Sequence, residues 1–325
     1  MATTPVVNEG ALPPGRAQSF VRRLQAGEEL AYLVTATAAA TIFLITTLIL
    51  YELFSQSAVS RHTLGWSFLF TSTWDPVAGN FGALPFIYGT VVTSVLALLI
   101  AIPLGVGAAI FLAEMAPMGI SNALTFLIEL LAAVPSVIYG LLGIFVLIPI
   151  LQRSVVPALK SVLGGLPIFH GTFYGVSVFS AGIVLAVMIV PFIISVSREV
   201  LLSVPNDQRE GSLALGSTKW QTTWKVVVPF ASTGITGSIF LALARALGET
   251  MAVTMVIGNT PQIKASLLAP GNSIASVIAS QFAEATGDLY VSSLIELGLV
   301  LFGVTFVLNG LARIMIMTTG RKGAH

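Results

Sequence analysis

The sequence contains no cysteine, and only 9% of its 325 residues are charged. The absence of cysteine excludes a disulfide scaffold, a thiol nucleophile and a thiolate-bound zinc or iron–sulfur centre. The three histidines, His62, His170 and His325, are too scattered to make a metal site. Lysine and arginine total 15 against 14 for aspartate and glutamate, so there is no basic surface for nucleic acid. We therefore expect no metal, no cofactor and no nucleic-acid partner.

What the sequence has in excess is apolar residues, at 55% of the chain. A helix that spans a membrane needs about 20 of them in a row. Six continuous stretches qualify: 30–54, 84–112, 123–151, 174–196, 231–257 and 291–317. Continuous apolar runs exclude a transmembrane barrel, because apolar and polar residues alternate along the strands of a barrel. The first stretch is too long for a signal-peptide core and lacks a cleavage site, so we expect it to be retained. The predicted fold is an all-α integral membrane protein with six transmembrane helices.

The positive charges predict the orientation of these helices. With the N-terminus inside, the inner segments hold ten Lys and Arg residues: Arg16, Arg22, Arg23, Arg198, Arg209, Lys219, Lys225, Arg313, Arg321 and Lys322. The outer segments hold four: Arg61, Arg153, Lys160 and Lys264. We expect a cytoplasmic tail over 1–28 that is partly disordered or interfacial, a membrane domain over 29–319, and a cytoplasmic tail over 320–325. Both termini then lie in the cytoplasm.

The inner segment 197–229 concentrates charge in a chain that is otherwise poor in it. Asp207 is placed to cap a short helix, Glu210 suits the positive end of the helix dipole, and Gly216 is placed to end the helix. A second helical run would put Trp220 and Trp224 on one face. A short helix with an apolar face is suited to dock into a groove on a partner. The alternative is that the tryptophans only mark the membrane interface, where this residue is enriched.

Two charges, Arg245 and Glu249, fall near the middle of the fifth apolar stretch. Each costs about 2.5–3.5 kcal/mol at a helix centre, and a spacing of four residues would place them on one helical face. A structural ion pair is one interpretation. The functional interpretation is that both line a polar pathway, where the planar guanidinium suits a phosphate-like oxyanion and the carboxylate keeps its binding weak.

Three further carboxylates and the last outer connection are less specific. Glu52 and Glu296 are expected at the membrane interface, and Glu129 is assigned no role. In the connection 258–290, apolar residues recur at helical spacing from Ile274 to Phe282. They predict a short helix that either crosses the outer mouth or, as we prefer, packs on the surface of the bundle.

Four segments together resemble one known family. They are 81–117, 134–149, the loop REGSLALGSTKW from Arg209, and ALARALGETMAVTMVIGN up to Asn259. They look like the C-type permease of the bacterial phosphate-specific ABC importer, and the match covers nearly all of the chain beyond the N-terminal tail. Residues Glu210 to Gly216 match the EAA loop of such permeases, with Gly211 and Ser212 in place of the usual Ala-Ala. The sister permease of that importer, the A-type permease, is similar in its third helix and its Arg-x-x-Gly-Glu motif.

The resemblance implies a fold, a location and partners. It implies a type I, EAA-loop permease bundle in the bacterial cytoplasmic membrane, which forms a heterodimer with the sister A-type permease. It also implies two ATP-binding subunits, an extracytoplasmic phosphate-binding protein and inorganic phosphate as the substrate. In that family an arginine and a glutamate of this motif are needed for transport, and they correspond to Arg245 and Glu249. The ATPase-coupling residues that it implies are Glu210, Gly211, Ser212, Leu213, Gly216 and Trp220.

Other functions remain open at this point. A sulfate or molybdate importer is the nearest competitor, and only the Arg-Ala-Leu-Gly-Glu motif speaks against it. A stand-alone anion channel or carrier would also place charges in a membrane helix, but would not need the EAA spacing. A membrane enzyme is disfavoured because no constellation of nucleophile and base is evident. ATP hydrolysis is assigned to a partner, since the chain lacks a Gly-x-x-x-x-Gly-Lys-Ser/Thr sequence.

Overall fold

The computed structural model describes residues 28–320, without the side chains of residues 28–30, 163, 312 and 315–320. The tails expected over 1–28 and 320–325 lie almost entirely outside this range. In chain order the helices are α1 (Glu28–Gln56), α2 (Ala58–Leu64), α3 (Ser67–Phe70), α4 (Leu84–Met115), α5 (Met118–Ala132), α6 (Ser136–Val162), α7 (Val178–Leu202), α8 (Asn206–Ala214), α9 (Lys219–Leu247), α10 (Met251–Val256), α11 (Ile274–Gln281) and α12 (Asp288–Gly320).

Six of these helices, α1, α4, α6, α7, α9 and α12, are long and apolar enough to cross a membrane. The number of spans predicted for the membrane fold is therefore confirmed in the described residues. Among the described residues, those up to Ser55, which are nearly all of α1, form one compact unit, and those from Gln56 onward form a second. Within α1, the hydroxyls of Thr35, Thr37 and Thr41 donate to carbonyls one turn earlier, so the helix satisfies its own polar side chains.

In the second unit, α7 is the most buried of the spans. It packs along α4 through small residues that let the two helices approach closely. A Cβ added at Gly105 of α4 would stand 2.7 Å from Ile193 of α7, and one at Gly182 of α7 would stand 2.5 Å from Leu96 of α4. α9 also packs against α7, where the hydroxyls of Ser197 and Ser238 lie 2.7 Å apart. The membrane bundle is thus organised around α7.

The connection between α10 and α12 contains the expected short helix, α11. Ile274 and Val277 are fully buried in a cluster that includes Phe86 of α4 and Leu294 of α12, while Phe282 just beyond the helix is half exposed. The expected short helix thus packs on the bundle.

The boundaries predicted for the third apolar stretch, 123–151, are wrong. Two helices replace the single one: α5 starts directly after Pro117 and α6 directly after Pro135. Proline lacks an amide hydrogen and disfavours the helical conformation in the residue before it, so the chain breaks there although its hydropathy does not change. Beyond the break, α6 runs on to Val162 with π-helical turns at Gly143–Leu147 and Leu151–Val155.

The close packing of α4 yields a prediction with an internal control. A Cβ on Gly89 would stand 1.9 Å from the carbonyl oxygen of Asn272, whereas one on Gly107 in the same helix would meet nothing within 4 Å. We expect Gly89→Ala to destabilise the purified chain by about 1–3 kcal/mol, since backbone must move to make room. Gly107→Ala should leave stability unchanged or slightly higher. Thermal unfolding in detergent measures both, and equal midpoints for the two variants would refute this packing.

Candidate functional site

The segment between α7 and α9 folds into one short helix, α8, and two tight links. Pro205, not Asp207, occupies the N-cap position, and Asp207 lies in the first turn, where its charge still suits the helix dipole. At the other end, the Gly216 amide donates to the Leu213 carbonyl (2.9 Å) and the next amide donates to the Ser212 carbonyl (3.3 Å). This pair of bonds is a Schellman motif, with Gly216 at φ +86°. The helix ends where the glycine predicts.

The second helical run also begins where the sequence predicts. Thr218 caps α9 by accepting from the Gln221 amide, and the Gln221 side chain accepts from the Thr218 amide in return. This capping box fixes the direction of the first turn. As a result the rings of Trp220 and Trp224 lie side by side, with their centroids 5.5 Å apart.

Five exposed residues of the segment, four of them apolar, are together called the loop surface: Glu210, Leu213, Leu215, Trp220 and Trp224. Leu215 is 89% exposed and Trp220 is 58% exposed. Gly211 faces open space, whereas Ser212 turns inward, with its hydroxyl 3.0 Å from that of Thr222. Of the six residues expected to couple to an ATPase, Ser212 is therefore an internal link, and the others lie on or beside the loop surface.

Sequence reasoning missed how α8 is attached. The Arg209 guanidinium lies 2.8 Å from the Glu114 carboxylate at the end of α4, and both side chains are at least four-fifths buried. It also donates to the carbonyls of Leu201, at 2.8 Å, and Val204. The Leu201 carbonyl lies in the last turn of α7, and the Val204 carbonyl lies two residues beyond the end of that helix. The only hint in the sequence is that Glu114 is an acid at the end of an apolar stretch.

The fifth apolar stretch is interrupted at the two charges, which corrects the prediction of one continuous helix over 231–257. α9 ends at Leu247, with Arg245 in its last turn, and α10 starts at Met251. Glu249 lies in the break, where its carboxylate accepts from the Ala252 amide at 3.2 Å. Arg245 and Glu249 therefore do not share a helical face, and among the described residues they form no ion pair.

The break changes the electrostatics of both charges. A helix carries partial positive charge at its N-terminus and partial negative charge at its C-terminus. Arg245 thus lies at the negative end of α9 and Glu249 at the positive end of α10. The Glu249 carboxylate is bonded to the Ala252 amide, and the Arg245 guanidinium forms no ion pair in the described part of the chain. It is exposed and lies 6.0 Å from the centre of the Phe192 ring on α7. Its planar donors are suited to bind an oxyanion.

The break between α5 and α6 lies beside the break between α9 and α10. α6 packs against α10 so closely that a Cβ on Gly140 would stand 3.2 Å from the Ala252 Cα. At the first break the Leu131 carbonyl accepts from the Val134 amide at 3.1 Å and also from the Tyr139 hydroxyl at 2.7 Å. We call these two interruptions, residues 133–135 and 248–250, the paired breaks. They bring irregular backbone and Arg245 into one region of the bundle.

The structure also shows where the three remaining acidic residues lie. Glu296 was expected at the interface but is only 6% exposed, because the first turns of α12 pack against α2. Glu129 is exposed in the last turn of α5, and Glu52 is exposed near the end of α1. Among the described residues, no three His, Asp or Glu side chains come together in a way that could hold a metal ion.

Comparison with known proteins identifies relatives over nearly the whole chain. The model of the family described as binding-protein-dependent transport system inner membrane component matches residues 101–316. The phosphate transport system permease protein PstC of Mesorhizobium japonicum is 44% identical over 321 residues, which cover 97% of this chain and 98% of that protein. The PstC protein of Xylella fastidiosa (strain 9a5c) is 42% identical over 326 residues, which cover 99% of each chain.

The fold also has a solved counterpart. A bacterial ABC transporter involved in the import of the acidic polysaccharide alginate aligns with a TM-score of 0.56, over 90% of this chain and 98% of that one, at 17% identity. This likeness supports the ABC permease fold. The chain therefore belongs to the family of binding-protein-dependent transport system inner membrane components, together with the PstC permeases that it resembles over nearly its whole length.

Proposed function

We propose that the chain is a permease of an ATP-driven importer of inorganic phosphate in the bacterial cytoplasmic membrane. It forms half of the translocation pathway, and a sister A-type permease forms the other half. Two ATP-binding subunits dock on the inner side, and an extracytoplasmic phosphate-binding protein delivers the substrate. The chain is a transport component and not an enzyme, so ATP hydrolysis belongs to the ATP-binding partner.

The observation that supports phosphate as the substrate is the similarity to phosphate permeases over at least 97% of the chain. The chemistry of Arg245 agrees with it, because a guanidinium matches the oxygens of a phosphate better than a point charge does. Glu249 supports release of the anion: its negative charge lies four residues along the chain and opposes permanent binding. Since both charges lie at a helix break, they can face a pathway without the cost of residing in a continuous lipid-facing helix.

The loop surface supports the docking of an ATPase. The exposed side chains of Leu213 and Leu215 are costly in water unless a partner covers them, and tryptophan, here in the first turns of α9, is common at the centres of interfaces. The Schellman motif and the capping box hold this surface rigid before any partner arrives, which reduces the entropy lost on binding. In this mechanism closure of the ATP-binding subunits moves α8, and the bundle around α7 and α9 switches the pathway between the two sides.

Removal of the guanidinium tests the substrate site. We expect Arg245→Ala to reduce uptake of labelled phosphate to the background of cells that lack the chain, since charge-assisted hydrogen bonds contribute roughly 1.5–3 kcal/mol each. Co-purification with the partner proteins should be unchanged. Arg313→Gln, which removes an exposed cation far along α12, is the matched control and should transport normally. Normal uptake by the Arg245→Ala variant would remove this residue from the pathway, and competition by sulfate would contradict a phosphate-selective site.

The Gly216 turn tests the docking of the ATPase. We expect Gly216→Val to weaken co-purification of the ATP-binding partner and to lower uptake, because a β-branched residue at φ +86° costs about 1–3 kcal/mol and distorts the loop surface. Gly119→Val is the control, since Gly119 lies in the first turn of α5 with nothing within 4 Å of an added Cβ. If both variants retain the ATP-binding partner equally, the loop is not its docking site.

The absence of cysteine makes the orientation directly testable. Val77 is 98% exposed in the segment expected outside, and Gln208 is exposed on α8 in the segment expected inside. A membrane-impermeant maleimide should label a Val77→Cys variant in intact spheroplasts. It should label a Gln208→Cys variant only after permeabilisation, while the wild-type chain gives no signal. The reverse pattern would invert the topology and place the loop surface outside, where no ATP-binding partner could reach it.

A further inference from the structure

The helix α8 has an unusual attachment to the bundle. It runs for nine residues, none of which is buried in the described structure, so it has no apolar anchor of its own. Its fixed contacts are polar and come from two side chains. Ser212 bonds to Thr222 at the start of α9, and Arg209 reaches back to α4 and α7.

Arg209 reaches two different helices with one rigid group. Its Nη2 lies 2.8 Å from Glu114 Oε1 and 2.8 Å from the Leu201 carbonyl oxygen, and its Nη1 donates to the Val204 carbonyl. The side chains of Arg209 and Glu114 are 18% and 10% exposed, so water screens the pair only weakly. The planar fork holds all three acceptors in one geometry, which a lysine could not do. A shift of α8 must therefore either move the ends of α4 and α7 with it or break this group of bonds.

Glu210, the residue that follows Arg209, points in a different direction. Glu210 is exposed and faces away from the bundle, on the loop surface, while Arg209 faces into it. Consecutive residues of a helix point about 100° apart, so one turn of α8 can contact a partner on one side and the bundle on the other. The same short helix thus carries both a contact surface and a link to two membrane helices.

From this geometry we propose that Arg209 and Glu114 are positioning residues that transmit the movement of α8 into α4 and α7. The ion pair is not required for the ATP-binding subunits to dock. It makes α8 and the inner ends of two transmembrane helices move as one body. This inference rests on the proposed function, because it assumes that an ATP-driven partner moves α8.

The test uses the complete complex in proteoliposomes: this chain, the sister permease, the ATP-binding subunits and the phosphate-binding protein. Glu114→Gln removes the ion pair but leaves Arg209 its two carbonyl acceptors, and Arg209→Lys keeps the charge but loses the fork. We expect both variants to retain the ATP-binding subunits and to hydrolyse ATP within about twofold of the wild-type rate. Phosphate uptake per ATP hydrolysed should fall at least about tenfold for Glu114→Gln, because the charge-assisted link is lost, and by less for Arg209→Lys. Arg313→Gln should match the wild type.

Several results would overturn the inference. Unchanged uptake per ATP in Glu114→Gln would show that the pair transmits nothing. A parallel loss of ATPase binding and hydrolysis in both variants, or a failure of both complexes to assemble, would show that the pair only holds the structure together. A wild-type complex that hydrolyses ATP but imports no phosphate would refute the proposed function, and this inference with it. An active wild type with an unaffected Glu114→Gln would refute the inference alone.

Discussion

Inside a bilayer an unpaired backbone amide or carbonyl has no water to bind, and this constraint decides where the helices of the chain can be interrupted. Both interruptions of the paired breaks follow it. The Tyr139 hydroxyl donates to the carbonyl of Leu131 at one break, and the Glu249 carboxylate accepts from an amide at the other. Side-chain partners for the backbone are thus concentrated in one region, although Ala133, Pro135 and Gly248 are themselves exposed on this chain. The same region contains Arg245, the residue of the candidate substrate site.

The packing around α7 links this region to the loop surface. The middle of α7 carries Phe192, whose ring lies beside Arg245, and the C-terminal end of α7 supplies the Leu201 carbonyl that Arg209 binds. From Phe192 to Leu201 the helix rises by about 13 Å. A single helix, closely packed on α4 through small residues, therefore contacts both Arg245 and Arg209. Under the proposed function, rigid movement of this one element relates the two residues without a chain of small side-chain rearrangements.

Much of this architecture could be predicted from the sequence because it depends on local properties. Hydropathy predicts the number of membrane spans, since length and composition alone decide whether a helix can cross. Gly216 and the Thr218–Gln221 capping box mark the turns of the loop, because helix ends depend on backbone conformation and on nearby side chains. The resemblance of the loop and of the Arg-Ala-Leu-Gly-Glu segment to phosphate permeases agrees with the relatives that cover nearly all of the chain.

The features that escaped prediction depend on neighbours distant in sequence or on breaks that hydropathy cannot detect. Arg209 and Glu114 are 95 residues apart, so nothing local joins them. Glu296 has an interfacial sequence environment but is buried by α2, and Asp207 loses the cap position to Pro205 because proline already fixes the extended conformation there. The break at Gly248 has the largest effect on the site, because it changes what the four-residue spacing between Arg245 and Glu249 implies. In a continuous helix this spacing would pair the two charges and cancel them. In the broken helix each charge lies near a helix end, and the guanidinium is exposed.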